Sequence, residues 1–344
     1  MDLFTPVVSQ ELQHPNFRSV CAQQNGYNWD VLNEWARGFE DRDGKFVQEF
    51  QRSFDPCFWE LYVFAVLKQY GLAVDFSYHA PDFVVSGAGF NVEATVALHE
   101  KDATPEYMKS AEPIPGDLNE FNRRAILRIR NSIDGKHKRF LNSYSTLEHV
   151  RDRPFVLAIS AFDSPHAILA SQRAVEAVLF GYYVDEEKFL REGGELKGRQ
   201  LHSVRKDNGS TVELGVFLDE QFKWLSAVVF SSCARWGKVR ALSADPNPNI
   251  LFEAVTYNPG GTQPHVVKAR KSKYTERLLD GLRVYHNPQA IHPLDPAIFR
   301  HRDVFQTYYS EAEGDWIYEV RDGLLLFRRV DTRVRARDGS NHLK

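Results

Sequence analysis

The chain has 344 residues, and its 43 lysines and arginines against 46 aspartates and glutamates give a formal net charge of −3. A composition of 43% hydrophobic and 26% charged residues is typical of a globular protein and excludes a disordered or fibrous chain. The near-neutral charge excludes a strongly basic protein that coats nucleic acid, although a local basic surface remains compatible with it.

The three cysteines, Cys21, Cys57 and Cys233, share no CxxC spacing, so neither a disulfide framework nor a zinc ribbon is expected. The start of the chain has no apolar segment like that of a signal peptide, and no run of about 18 apolar residues could cross a membrane. We therefore expect a cytoplasmic protein without a membrane partner.

At roughly 100–200 residues per domain, the length predicts two domains, or one domain with a large elaboration. We divide the chain into an N-terminal arm with helices (residues 1–53), a core (54–165) and a C-terminal α+β extension (166–344). The chemistry-bearing signals are concentrated in the core.

The first predicted element of the core is a helix over residues 56–70. It has a proline in its first turn and Gly71 directly after its end. Its residues are apolar on almost every side, which is typical of a buried helix. Glu60 lies in its middle, where a carboxylate is costly unless it is paired or bound to a metal.

Strands are predicted over residues 72–78, 82–86 and 90–97. If Gly87 and Ala88 form a two-residue hairpin loop, Asp82 lies directly opposite Glu93. Directly opposed Cβ atoms are about 4.5–5.5 Å apart, so the two carboxylates repel each other unless a proton or a cation lies between them.

A loop over residues 98–118, a helix over 119–144 interrupted by Gly135, and a buried strand over 154–162 follow. In this arrangement Glu60, Asp82 and Glu93 converge. Carboxylate oxygens are ligands that suit Mg²⁺ or Mn²⁺, and such an ion can activate water and stabilise charge on a phosphodiester.

Pro81 and Asp82, followed eleven residues later by Glu93 within this order of elements, resemble the motif of the PD-(D/E)XK nuclease superfamily. The resemblance covers roughly residues 56–162. It implies an α/β fold with a restriction-endonuclease-like αβββαβ core and a mixed central sheet, to which the C-terminal half adds a large α+β elaboration. It also implies that Glu60 is the glutamate of the first core helix.

The sequence departs from the motif at Thr95, where the family has a lysine two residues after the glutamate. Some members of the superfamily carry this lysine on the following helix, and Lys136 is the candidate here. The apolar stripe through Ile126, Ile129 and Ile133 puts Lys136 on the inward face. The alternative is an inward lysine whose stem packs while its amine reaches solvent.

The same helix is rich in basic residues, with Glu120 and Asp134 as its acidic ones. Beside a metal site such a helix would attract the phosphate backbone of nucleic acid. The alternative is an ordinary solvated face. The candidate nucleic-acid-binding residues are Arg123, Arg124, Arg128, Arg130, Lys138 and Arg139.

The C-terminal half shows no catalytic constellation. The sequence leaves three roles open for it: extending the central sheet, recognising substrate or binding a partner protein. A hairpin is predicted around Arg321-Asp322-Gly323. A helix is predicted over residues 171–181, and strands over 214–218, 225–231, 239–242, 250–255, 316–320 and 324–330.

These patterns favour a Mg²⁺- or Mn²⁺-dependent nuclease acting on nucleic acid, with DNA favoured over RNA. Asp82 and Glu93 would hold the metal together with the carbonyl of Ala94. Glu60 would bind a metal-coordinated water or a second ion, and Lys136 would orient or activate the attacking water. By analogy, such nucleases often serve antiviral defence in bacteria.

Two alternatives remain. The first is a non-catalytic module that binds nucleic acid or a partner on a degenerate nuclease fold, for which Thr95 is the best support. The second is a structural subunit of a larger defence or repair assembly, which would need a protein partner. A homodimer is compatible with all three hypotheses.

Overall fold

The computed structural model describes residues 1–22, 26–109, 113–193, 198–261, 263–335 and 341–343. Its α-helices are α1 (Pro15–Cys21), α2 (Tyr27–Ala36), α3 (Phe46–Arg52), α4 (Phe54–Gln69), α5 (Leu118–Asn142), α6 (Arg173–Phe180), α7 (Glu186–Glu192) and α8 (Trp236–Leu242). Its first strands are β1 (Val74–Asp75), β2 (Phe83–Val85), β3 (Phe90–Leu98), β4 (Phe155–Phe162), β5 (Tyr182–Val184), β6 (Gly198–Gln200), β7 (Ser203–Arg205) and β8 (Thr211–Glu213). They are followed by β9 (Ala227–Phe230), β10 (Ile250–Thr256), β11 (His265–Arg270), β12 (Leu282–His286), β13 (Val304–Ser310), β14 (Asp315–Glu319), β15 (Leu325–Arg335) and β16 (Asn341–Leu343).

The central sheet has eight strands in the order β1-β2-β3-β4-β9-β12-β13-β14, and the protein is a mixed α/β protein. β3, β4 and β9 run parallel, β12 runs antiparallel to β9, and β13 runs parallel to β12. The predicted order of helix, three strands, helix and strand is confirmed by α4, β1, β2, β3, α5 and β4. A second sheet has the order β11-β10-β15-β16, and β5-β6 and β7-β8 are small antiparallel pairs.

The hydrophobic core lies on both faces of the central sheet. On one face α4 packs against alternate residues of β3 and β4, among them Val92 and Ala158. On the other face α5 and α6 pack against the intervening residues, among them Leu157 and Ile159. Because both faces are covered, β4 is buried along its whole length, as its continuous apolar sequence predicts. Glu93, which alternates with Val92, therefore projects towards α5.

The hairpin between β2 and β3 has the predicted register, with Phe83 opposite Val92 and Val85 opposite Phe90. The predicted two-residue loop is wrong, because residues 86–89 all lie in the turn. The N–H of Gly89, at φ 69°, donates to the carbonyl of Val85 at 3.0 Å and closes it. A longer loop about the same centre leaves the pairing unchanged.

α5 is one continuous helix of 25 residues, so the predicted interruption at Gly135 is wrong. A glycine inside a helix costs only about 1 kcal/mol relative to alanine. The burial of Ile126, Ile129 and Ile133 on the inner face offsets that cost. The face on which each later side chain lies is therefore fixed along the whole helix.

Three of the predicted strands are wrong in type or in length. Residues 239–242 lie in α8, residues 216–218 form a 3-10 turn, and the predicted strand over 72–78 is reduced to β1. Short apolar runs fit a buried helix and a strand equally well, which explains the error at α8.

The predicted hairpin around Arg321-Asp322-Gly323 is also wrong. β14 pairs with β13 in the central sheet, whereas β15 pairs with β10 in the second sheet, so the turn joins two sheets. The C-terminal half extends the central sheet, because β9, β12, β13 and β14 all follow residue 165. Across the described ranges, no helix has the length and apolar character to span a bilayer.

Candidate functional site

Asp82 and Glu93 lie on neighbouring strands at the point where β2 begins. Asp82 directly precedes Phe83, which pairs with Val92, so Asp82 sits opposite Glu93 as predicted. An oxygen of the Asp82 carboxylate accepts a hydrogen bond of 2.7 Å from the backbone N–H of Ala94. This bond continues the contact between the strands and fixes the Asp82 side chain against β3.

The Glu93 carboxylate is buried and is surrounded by donors from the end of α5 and the turn that follows it. Its side chain is 2% exposed. The ammonium of Lys136 lies 2.6 Å from one oxygen, and the hydroxyl of Tyr144 lies 3.0 and 3.1 Å from the two oxygens. A buried carboxylate is tolerated only with such partners, so this charge is balanced by the protein itself.

Lys136 reaches Glu93 because α5 continues without a break through Gly135. Its side chain is 20% exposed, whereas Lys138, two residues later, is exposed. The inward direction predicted for Lys136 is therefore confirmed. Its catalytic role stays a prediction.

Arg139 lies at the outer side of this cluster. Its guanidinium is 5.2 Å from the ring centroid of Tyr144, within range of a cation–π contact, and 3.9 Å from Glu93. The Arg139 side chain is 57% exposed, whereas Tyr144 is buried. Arg139 thus lies between the buried carboxylate of Glu93 and the solvent.

The carboxyl groups of Asp82 and Glu60 both have raised pKa values. Burial and the neighbouring Glu93 carboxylate raise the pKa of Asp82 to about 7, against the opposing effect of Lys136. Burial, followed by the charge of Asp82, raises the pKa of the half-buried Glu60 well above its usual range. These directions mean that the site favours an added proton or cation.

Arg42 was not predicted as part of this region. Its Nη1 atom donates to the backbone carbonyls of Tyr78, at 2.6 Å, and Pro81, at 3.2 Å, and so holds the segment that leads into Asp82. Its positive charge also lowers the pKa of Asp82 and of Glu60. It comes from the loop between α2 and α3, and no local pattern marks it.

Tyr144 was also missed, although a spacing of four residues leads to it from Lys136 through Phe140. It begins the 3-10 turn Tyr144–Thr146 directly after α5. The helix predicted over residues 119–144 has Tyr144 as its last residue. A search for polar side chains that continue the inner face of α5 would have found it.

The available metal donors are oxygens. In a strand the N–H and carbonyl of one residue point to the same side, so the carbonyl of Ala94 faces the Asp82 side of β3. Glu60 comes from α4, which packs on the opposite face of the sheet from α5. In the described ranges, no three or more His, Cys, Asp or Glu side chains are grouped so that they could hold a metal ion.

Three of the six predicted nucleic-acid-binding residues are partly buried and are held by contacts within the protein. Arg123 pairs at 2.6 Å with the glutamate one turn earlier. Arg128 donates to the carbonyl of Leu98 at 2.7 Å. Arg130 is 12% exposed and lies 4.8 Å from the ring centroid of Phe222. These three charged groups therefore bind other parts of the protein.

The other three, Arg124, Lys138 and Arg139, are exposed, although Arg124 also pairs with Glu120 at 2.7 Å. Of these, Arg139 lies beside Glu93. The basic face that a ligand can reach is therefore smaller than the sequence suggests, and its part nearest to the site is the end of α5.

Comparison with known proteins gives no assignment, since no protein-family model, no curated protein and no solved structure matches this chain. A functional conclusion therefore depends on the geometry of this site and on the chemistry of its side chains.

Proposed function

We propose that this protein is a divalent-metal-dependent nuclease that hydrolyses phosphodiester bonds of DNA. The observation that carries the proposal is the 2.6 Å contact between Lys136 and Glu93, on the strand next to Asp82. Position 95, where the motif has its lysine, is a threonine. Helix α5 instead supplies Lys136 to the carboxylate of Glu93. An aspartate, a glutamate and a lysine thus meet in one place, as the resemblance to PD-(D/E)XK nucleases requires.

Asp82 and Glu93 would hold Mg²⁺ or Mn²⁺, with the carbonyl of Ala94 as a further donor. Two carboxylates with few other protein ligands suit Mg²⁺, which keeps several waters and binds substrate phosphate. The raised pKa of Asp82 supports the same fit, because this carboxylate favours a nearby positive charge. When bound, the ion would polarise the phosphodiester and lower the pKa of a coordinated water.

The side chains of the protein would do the remaining work. Tyr144 holds both oxygens of Glu93 and fixes their orientation. Lys136 has donor capacity beyond its bond to Glu93, since an ammonium carries three N–H groups, and would hold the attacking water or a phosphate oxygen. Arg139, which is exposed beside Glu93 and Tyr144, would contact a phosphate of the bound DNA strand.

The proposal is tested by incubating the full-length chain with single- and double-stranded DNA and RNA in Mg²⁺, Mn²⁺ or EDTA. We expect metal-dependent cleavage of DNA that is lost in Asp82→Asn and Glu93→Gln. Glu311→Gln, an exposed glutamate on the turn before β14, is the matched control and should cleave normally. Full activity of both site variants would refute the assignment, and cleavage of RNA alone would change the substrate.

A second candidate is a nucleic-acid- or partner-binding module that has lost catalysis. Thr95 at the position of the motif lysine favours it. Calorimetry with Mn²⁺ separates the two functions. A nuclease binds the ion and loses that binding in Glu93→Gln. A degenerate site gives no heat of binding in either the wild type or the variant. The biological setting that the resemblance implies, antiviral defence, applies to the nuclease.

A further inference from the structure

A cleft with a volume of about 610 Å³ lies outside the candidate active site, between the starts of β12, β13 and β15. Three arginines line it together with Thr275. They come from three separate segments of the C-terminal half, which showed no functional pattern in the sequence. The arginines are Arg277, Arg302 and Arg321.

This cleft lies at the edge of the central sheet where β3 ends, whereas the Asp82–Glu93 pair lies in the first half of β3. β3, β4 and β9 are parallel, and β12 and β13 run opposite to them, so β12 and β13 start at the edge where β3 ends. Asp280 precedes the first residue of β12, and Asp303 precedes that of β13. Through the register of the strands, Glu93 is level with Tyr285 of β12 and Thr307 of β13. Asp280 and Asp303 therefore lie five and four residues closer to that edge than the Asp82–Glu93 pair. Three to four strand spacings of about 4.8 Å across the sheet, combined with four to five residues of about 3.3 Å along the strands, put the two sites roughly 20–25 Å apart.

The arginines have donors to spare. Arg277 uses its Nη1 atom on the two oxygens of Asp303, at 2.9 and 3.1 Å. Arg302 approaches Asp303 only through Nε, at 3.4 Å, and its side chain is 66% exposed. For the exposed Arg321, no side-chain hydrogen bond or ion pair occurs with any residue that the structure describes. Since each guanidinium carries five N–H groups, most of these donors remain available to a ligand.

The aspartates that line the same cleft already have partners. Asp303 is buried and bound to Arg277. Asp280 accepts the backbone N–H of Arg277 at 2.7 Å, and Asp322 pairs with His265 at 3.0 Å. Formal charges in the cleft are balanced, so long-range attraction is weak. Binding must therefore come from direct, charge-assisted hydrogen bonds between guanidinium groups and an oxyanion.

We propose that this arginine cleft binds a backbone phosphate of the same nucleic acid that is cut at the Asp82–Glu93 site. The identity of the ligand depends on the proposed nuclease function, whereas the phosphate chemistry depends on the arginines alone. At 3.4 Å per base pair, the separation corresponds to roughly six to seven base pairs of duplex between the bound phosphate and the cleaved bond. A free nucleotide offers the same phosphate chemistry, and the experiment separates the two sources.

The test measures binding of a fluorescent DNA duplex by anisotropy, with the full-length protein in EDTA and a series of salt concentrations. In the double variant Arg302→Ala and Arg321→Ala we expect at least tenfold weaker binding. The slope of log K against log salt should fall by about one to two, since each phosphate contact contributes about 0.9. Arg37→Ala is the matched control, because Arg37 is also exposed and also paired with one carboxylate. It should keep the wild-type affinity and slope.

Unchanged affinity and slope in the double variant, with a wild-type melting temperature, would overturn the proposal. A second arm titrates ATP in place of DNA. Loss of ATP binding in the double variant with unchanged DNA binding would assign the cleft to a free nucleotide and also overturn it. If the wild type never cleaves DNA but the double variant binds it more weakly, the cleft stands and the nuclease function fails. If the wild type cleaves DNA and the double variant binds DNA as tightly as the wild type, the nuclease function stands and the proposal for the cleft fails.

Discussion

The ammonium of Lys136 lies 2.6 Å from the carboxylate of Glu93 and brings a cation from α5 to a charge that is buried in β3. The two residues are far apart in sequence, and the packing of one helix face on one strand joins them. The contact has two consequences that can be measured separately, one for activity and one for folding.

Replacing Lys136 with methionine keeps the aliphatic stem and removes the charge. We expect the rate of DNA cleavage to fall by roughly 100- to 1,000-fold, the usual cost of losing one group that stabilises a transition state. Stability should fall by up to about 3–5 kcal/mol, because Glu93 loses its ionic partner. Single-turnover cleavage and urea denaturation measure the two effects. Lys273→Met is the control, at an exposed lysine in the turn that follows β11 of the second sheet. A wild-type cleavage rate in Lys136→Met would exclude Lys136 from the mechanism.

The hydroxyl of Tyr144 is the second partner of Glu93, and Tyr144→Phe removes only that group. Groups that orient a metal-binding carboxylate typically change metal affinity by 10–100-fold when they are lost. We expect Mn²⁺ binding measured by calorimetry to weaken within that range, with a loss of about 1–3 kcal/mol in stability. Tyr318→Phe, at a tyrosine that is 62% exposed, should leave both quantities unchanged. Equal Mn²⁺ affinity in wild type and Tyr144→Phe would contradict the positioning role.

Asp55, buried in the first turn of α4, should make stability depend on pH. Burial and then the charge of Glu106 raise its pKa from 3.8 to about 6, although Asn16, Arg235 and Lys109 oppose the shift. The folded state thus holds this proton more tightly than the unfolded state. The Asp55 contribution to stability is lost as pH rises from about 4 to 6 and stays lost above 6.

The corresponding experiment compares wild type with Asp55→Asn. A shift of this size corresponds to roughly 3 kcal/mol, so the variant should be more stable at pH 8 by up to that amount. The advantage should disappear at about pH 3, where the wild-type carboxyl is mostly protonated in both states. Denaturant titrations at the two pH values measure the difference, and an advantage that grows on acidification would show that the sign is wrong.

Gly135 should be replaceable without cost. It lies in the interior of α5, it is exposed, and a Cβ atom at this position would meet nothing within 4 Å. Gly135→Ala should therefore raise stability by about 0.5–1 kcal/mol, with cleavage unchanged. A thermal melt checks this, and a loss of stability would mean that α5 is not a regular helix at this point.

The parts of the site that sequence could predict are those that depend on short-range periodicity. The register that puts Asp82 opposite Glu93 follows from alternation around one turn, and the direction of Lys136 follows from the apolar stripe of a single helix. Both patterns need only a few neighbouring residues. The pattern also gave the order of the core elements correctly.

Sequence could not predict which distant segments meet. Alternation in β14 and β15 indicates two strands but does not name their partners, and the two join different sheets. Arg42 reaches the site from a loop that no local pattern connects to Asp82. Arg277, Arg302 and Arg321 are brought together only by the arrangement of β12, β13 and β15.

The pairing of β4 with β9 has a consequence for synthesis of the chain. β4 leaves the ribosome with one side already able to pair with β3, while its other side waits for β9, which is encoded much later. At roughly 5–20 residues per second, this apolar edge stays open for several seconds. Unpaired, apolar strand edges are prone to aggregate. A fragment that stops before β9 would keep that edge open permanently, so expression trials should retain at least residues 1–230.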